Sequence, residues 1–417
     1  MSGRGPVAVA PSPSPSGRRL APLHHAAYRR LLAGYTINQL GDRIGVVALA
    51  ILVYAETRDP LATTALFLAA EFAPALLSPA LTARVDRYAL RRSLPALYLA
   101  EAFLYVALAV VASSAFSLAT VLGLALVDGV LALTARGLLR SAVSGVLRGP
   151  GLLREGNGLL NLGFALAGVG GAAAGGGLVD LAGISTALLV NAGTFTAIAA
   201  LLLTARGLPV PEHADEPARG RVRQALDWIR RHRVARALFA GQGAALVLFT
   251  LIVPIEVVYA AETLRTDEAG YGVLLAAWGA GALLGSFVFL NVTHRPAHEL
   301  ILGSTLAIGI AYAGMGATTE LWVACALSVL GGAGNGVQWV AVMTRLQEAT
   351  PERLQARVAG LLESLGSAMT GVGFLVGGIL TAVTTPATAF AVAGAGLIAL
   401  VAAGALALRP RPRPAAP

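Results

Sequence analysis

Residues 31–55 read LLAGYTINQLGDRIGVVALAILVYA, an almost unbroken apolar run with Asp42 and Arg43 at its centre. An α-helix needs about 20 such residues to cross a hydrocarbon core about 30 Å thick, so this stretch is expected to span a membrane. The same reading recurs along the chain. Further runs fall at about 61–83, 94–113, 116–138, 158–180 and 183–205, then at about 238–260, 270–291, 299–319, 321–344, 359–382 and 386–408. All twelve are expected to be helices. In lipid every backbone N–H and C=O needs an internal partner, and runs this long and uniformly apolar do not alternate as barrel strands do.

Composition agrees. The 417 residues are 56% hydrophobic and 13% charged, and mean hydropathy is +0.72; soluble domains sit near 45–50% and about 25%. The net charge of +9 comes from 31 basic residues, every one an arginine. Arg43 and Arg136 lie inside spans, Arg58 and Arg265 fall in loops on one side, and the other 27 fall in tails and loops on the opposite side. By the positive-inside rule both termini are expected in the cytoplasm, in a multi-pass protein of the cell membrane. This distribution argues for the bilayer as partner and against nucleic acid.

The expected organisation is a disordered cytoplasmic tail over 1–27, a six-helix bundle over 28–205, a cytoplasmic linker over 206–237, a second six-helix bundle over 238–408 and a cytoplasmic tail over 409–417. The Pro/Ser/Gly-rich start has no continuous apolar segment ending in a cleavage site, so it does not read as a signal peptide. In the linker Val222, Ala225, Leu226 and Ile229 recur at helical spacing among arginines. They define an amphipathic helix at the headgroups, or a solvated linker with some helix. GNGLLNLG (156–163) and VAGLLESLG (358–366) each follow an arginine-bearing loop and open a glycine-containing span. That reads as the trace of a duplicated half, or as chance similarity among Gly/Leu-rich helices.

Charge at the centre of a spanning helix costs about 2.5–3.5 kcal/mol on insertion scales, so each such residue is a candidate for function. Tyr35, Asn38, Asp42 and Gly45 share one face of span one, halfway along it, with Arg43 offset by one residue. A polar stripe there reads either as the lining of a wet cavity, where Asp42 gains and loses a proton, or as an ion pair that fixes packing. Glu71, Glu101, Asp128 and Arg136 complete the set in the first half. Residues 128 and 136 lie two turns apart on one side of span four. In the second half Gln242, Asn335, Gln338 and Trp339 are candidate cavity liners, while Glu256 and Glu363 are expected near span ends, reaching headgroups or loops. Glycines crowd spans five and ten, as static packing seams or sliding surfaces.

Enzyme signatures are missing, and no cofactor or metal is expected. A Walker lysine is impossible, HExxH does not occur, the six histidines lie in tails or loops, and the lone Cys325 forms neither an internal disulfide nor a metal cluster.

Four passages resemble the major facilitator superfamily, in particular exporters of the macrolide-efflux and enterobactin-exporter type. They are INQLGDRIGVVALAILVYAET (37–57), TARVDRYALRR (82–92), the span-five glycines and GGAGNGVQWVAVMTRLQEATPERLQARVAGLLESLG (331–366). The resemblance implies a twelve-helix, two-bundle fold with the substrate between the halves. Asp86, Arg87, Arg91 and Arg92 match the family's loop motif, which implies a cytoplasmic latch on a neighbouring helix N-terminus; Thr82 and Ala89 replace its glycines. Gly158, Gly171, Gly175 and Gly176 match the antiporter motif, with Ala167 and Ala172 replacing a glycine and the proline. The expected function is therefore a monomeric, proton-coupled exporter of an amphipathic small molecule such as a drug, antibiotic or siderophore. A lysolipid flippase or uptake facilitator is the alternative within transport, and a non-transporting sensor or scaffold is the alternative outside it.

Overall fold

The computed structural model describes residues 20–85, 90–204, 219–292 and 295–408. Twelve helices among them are long and apolar enough to cross a membrane. Spans one to six are Ala26–Thr57, Pro60–Val85, Leu90–Ser114, Leu118–Arg148, Leu153–Ala182 and Ile184–Leu203. Span seven runs from Arg233 to Thr263, and spans eight to twelve are Glu268–Val292, Ala297–Gly316, Leu321–Ala349, Glu352–Val383 and Pro386–Leu408. Each expected run is found, most within about five residues, but span four continues ten residues past its expected end to Arg148 and span eleven begins seven residues early at Glu352. Of the expected disordered tail over 1–27, residues 1–19 lie outside the described set, whereas Ala21–His24 form a 3-10 turn and Ala26 already begins span one; the expected tail over 409–417 and the proline-rich part of the linker also lie outside it.

Local chemistry sets the short turns. After span one, Arg58 adopts φ 52° and its N–H closes on the Tyr54 carbonyl. Asp59 then caps span two by accepting from the Leu61 N–H at 2.8 Å, with Pro60 in the first turn, where its missing N–H costs nothing. Gly183, at φ 82°, ends span five in a conformation that a side chain would strain. Large apolar side chains such as Phe103 and Trp322 stay exposed on the outer surface of the bundle, as a lipid solvent requires.

Two spans leave regular α geometry. Span two has a π-helical turn at Leu68–Phe72. Span seven is interrupted after Thr250 and continues as a 3-10 turn at Val253–Ile255, a short turn at Glu256–Val258 and a π-turn at Tyr259–Thr263.

Spans one to six pack around one apolar core; in the second half one core lies among spans seven to ten and twelve. The linker helix, Arg219–Arg231, docks on spans seven and eleven. Its Ile229 is buried with Val342, Leu346 and Val358, whereas Leu226 is exposed; the side chains of Val222 and Ala225 lie outside the described set. The helix therefore divides its apolar face between the bundle and the surroundings.

The halves meet through span five on span eight, span two on span eleven, and spans one and two on the interrupted part of span seven. These contacts gather toward the loops near residues 58 and 265. Tyr54 Oη donates to Glu262 Oε1 at 2.7 Å, and the Phe67 and Phe374 rings pack edge-on at 5.8 Å. Among the described residues Ala73–Val85, Leu90–Ser114 and Leu118–Arg148 pack chiefly within their own half. The interface is thus closed at one end and parts toward the side on which spans one and twelve carry the termini.

Gly176 shows how tight the closed end is, because a Cβ there would meet Gly272 Cα at 2.8 Å and run into the Glu268 carbonyl, whereas one on Gly177 meets nothing within 4 Å. Gly176→Val is expected to destabilise the chain by about 1–3 kcal/mol, read as a lower melting temperature in detergent, with Gly177→Ala neutral. Equal behaviour of the two variants would contradict this packing.

Candidate functional site

The stripe expected on span one exists. Asn38 Nδ2 donates to Asp42 Oδ1 at 3.1 Å, Tyr35 and Asn38 are buried, and Gly45 lets Tyr105 and Asn191 approach the helix. Glycine is needed there because a Cβ would lie 2.7 Å from the Tyr105 ring. Asp42 therefore looks toward spans three, four and six, inside its own half.

Three further carboxylates gather around it. Arg136, from span four, is close enough to act on Asp42, Glu71, Glu101 and Asp128 alike. Asp42 acts in turn on Glu101 and Asp128. Glu101 is fully buried, and neither of its oxygens has a hydrogen-bond partner among the described residues. Asp128 Oδ1 and Arg136 Nε are also unpartnered there. An unpaired ionised carboxylate in such a place is costly, so protons, water or shared arginines must offset the charge.

Arg43 has a different outlook. Its guanidinium lies 5.8 Å from the centre of the Phe164 ring on span five, and its side chain is exposed. It acts on Asp42, on the exposed Glu71 in the π-turn of span two, and on Glu256 in the second half. Asp42 and Arg43, adjacent in sequence, thus point one into the first half and one toward the junction.

The second-half candidates divide. Gln338 is buried and donates to Thr305 Oγ1 at 3.0 Å, tying span ten to span nine, and Gln242 is buried as well. Asn335 is half-buried and Trp339 exposed. Glu256, expected near a span end, stands instead in the interruption of span seven. Pro254, two residues earlier, was the available signal, since proline removes a helix N–H.

The glycine motif splits between two neighbours. Gly171 and Gly175 pack on span one, with added Cβ positions 2.7 Å from Arg43 Cβ and 3.1 Å from Ile44 Cα, while Gly176 packs on span eight and Gly158 has nothing within 4 Å. The span-ten glycines sit against spans eight and nine. In the loop motif Arg91 and Arg92 are exposed on the first turn of span three; Asp86 and Arg87 lie outside the described residues.

With this geometry in hand, the comparisons with known proteins become specific. The family model described as Major Facilitator Superfamily matches residues 238–417. The enterobactin exporters of Salmonella typhi and Salmonella typhimurium are each 28% identical over 218 residues, covering 50% of this chain and 50% of theirs. The nucleoside transporter NupG superimposes with a TM-score of 0.70 at 12% identity, over 93% of this chain and 100% of its own. The second half of the chain matches the major facilitator family model, and the described helices have the fold of the solved transporters. The chain spans about half the length of the curated relatives it matches. A bacterial homologue of the human lysosomal transporter Spinster, solved inward-facing and unoccupied, shares the major facilitator fold with a TM-score of 0.66 at 14% identity, over 95% of this chain and 96% of its own.

Removing the shared cation exposes the balance within the site. Arg136 forms no ion pair within 4 Å among the described residues but acts on all four acids at longer range, and acids left without an opposite charge are costly to bury, so Arg136→Leu is expected to lower the melting temperature in detergent, and Arg136→Lys to recover most of it. A neutral Arg136→Leu would mean that these carboxylates do not depend on that guanidinium.

Proposed function

We propose that this chain is a secondary active transporter of the cell membrane, with both termini in the cytoplasm, that exports an amphipathic small molecule in exchange for protons. The observation that carries the proposal is the set of four carboxylates sharing Arg136 halfway through the membrane, beside an interface that is closed at one end only. A charge group with more acids than bases, set within the spans, changes its internal pairing whenever one acid takes up a proton. With Asp42 ionised, Arg136 and Arg43 are both drawn to that carboxylate. With Asp42 neutral, Arg136 is left to Glu71, Glu101 and Asp128, and Arg43 to Glu71 and Glu256. Because Arg43 also acts on Glu256, that redistribution reaches the other half, and the interface can open toward either side in turn. Asp42 is the proton carrier in this reading, with Glu71, Glu101 and Asp128 sharing the charge.

Export is favoured over uptake by the relatives named as enterobactin exporters. The excess of arginine on the open side supports a cytoplasmic position for that side, where an exporter loads its cargo. A sensor or scaffold would have no use for a titrating group at this depth.

The test begins with cells stripped of their own exporters and expressing the chain, challenged with a panel of antibiotics and dyes to find the compound whose tolerance rises. Everted vesicles then report accumulation of that compound under an imposed proton gradient. Asp42→Asn is expected to cut gradient-driven accumulation at least about tenfold, the size of a typical coupling free energy, at unchanged protein level. Unaltered gradient-driven accumulation by that variant would remove Asp42 from the coupling role, and no tolerance to any compound would favour the scaffold.

A further inference from the structure

The linker helix enters span seven through a single residue. Arg219–Arg231 and Arg233–Thr250 are separate helices, and His232 between them is extended, at φ −101° and ψ 114°. His232 Nδ1 donates to the Trp228 carbonyl at 2.9 Å, and the two rings stack at 4.2 Å and 23°. Ile229 and Ala235, on either side of the turn, are buried in one cluster with Val342, Leu346 and Val358. The stack, the hydrogen bond and the shared apolar seam hold the end of one helix and the start of the next as one unit on the bundle.

The outward side of that unit is strongly basic. The run IRRHRVAR (229–236) carries Arg230, Arg231, Arg233 and Arg236, and all four are exposed. Among the described residues none of them has an ion pair within 4 Å. Asp227, one turn before Arg230 and Arg231, is half-buried and pairs with neither. By contrast Arg295 and Arg345 reach Glu299 and Glu348 at 3.9 Å and 3.4 Å. Leu226 and Val234 are exposed beside the arginines.

Like charges this close repel one another, so the cluster gains from an anion that all of them can reach. Guanidinium groups match phosphate oxygens in bidentate fashion. The place selects the source of the phosphate. Span seven begins at Arg233, so the cluster stands at the rim of the hydrocarbon layer, where arginines next to a spanning helix attract anionic headgroups. Exposed leucine and valine add apolar area of the kind that enters the boundary between headgroups and acyl chains.

We propose that Arg230, Arg231, Arg233 and Arg236 form a binding surface for anionic phospholipid headgroups at the junction of the linker and span seven. The lipid neutralises the cluster and fastens the linker helix, and with it the start of the second half, to the leaflet on the side of the termini. The surface is separate from the mid-membrane carboxylates and does not depend on what the chain transports.

Native mass spectrometry of the full-length chain tests this, after equilibration in detergent with equal amounts of dioleoylphosphatidylglycerol and dioleoylphosphatidylcholine, which differ in headgroup alone. The wild type is expected to retain the anionic lipid in preference by at least about tenfold, since each arginine near an anionic surface contributes about fivefold. Arg233→Gln with Arg236→Gln is expected to lower that preference about fivefold or more. Arg230→Gln with Arg231→Gln carries the same test from the linker side. Arg140→Gln with Arg148→Gln, which removes exposed charge from span four on the same side of the membrane, is expected to leave the preference intact. No preference in the wild type, equal losses in the span-four pair, or displacement of the lipid by inorganic phosphate at matched ionic strength would each overturn the assignment, the last by pointing to free phosphate as the ligand.

Discussion

Six ionisable side chains of the first half face one constraint: four acids, Asp42, Glu71, Glu101 and Asp128, have two bases, Arg43 and Arg136, to share, with Glu101 fully buried among them. Attraction between opposite charges strengthens as the local dielectric falls, and so does the cost of leaving one unpaired. The surrounding helices are arranged to manage that cost. Span one presents Asp42 inward with Asn38 as its donor, span four places Arg136 two turns from Asp128, and span two loosens into a π-turn at Glu71. Such turns often accompany functional positions because they shift a side chain off the regular helical lattice.

Movement depends on the seams between helices as much as on charge. Gly171 and Gly175 fix span five to span one, and Gly176 brings the same helix onto Gly272 of span eight. Span five therefore belongs to its own half along one face and forms the junction along another. The hydrogen bond from Tyr54 to Glu262 and the Phe67–Phe374 contact lie on the same closed side. Opening that side requires these contacts to separate together, which suits a rigid-body rocking of one half on the other.

Much of this was legible in the sequence because the bilayer leaves the chain few choices. Its thickness dictates span length, and its lack of hydrogen-bonding partners dictates helix, so the twelve apolar runs 31–55 through 386–408 could all be found, though the polar extensions of span four to Arg148 and of span eleven from Glu352 lie beyond the apolar run and were missed. The stripe Tyr35–Asn38–Asp42 was legible for the same reason, since helical periodicity decides which residues share a face. Contacts between distant segments were not. Nothing in the spacing around Gln338 announced Thr305 as its partner, and Gly158 matched a motif without packing against anything. Glu256 was misplaced because a count of apolar residues treats span seven as one helix. The interruption after Thr250 arises from Pro254 together with packing on spans one and two, and only the proline is visible in the sequence.

The most direct test of the account is the population of the two openings as a function of pH. Spin labels on cysteines replacing Arg148 and Glu348, at the termini-side ends of spans four and ten, in a Cys325→Ser background, would report the separation of the halves in liposomes. If the mid-membrane acids govern the interface, the distance distribution has two components whose ratio shifts with pH, and Asp42→Asn holds that ratio constant. A wild-type distribution that stays the same across the pH range in which carboxylates titrate would contradict the account.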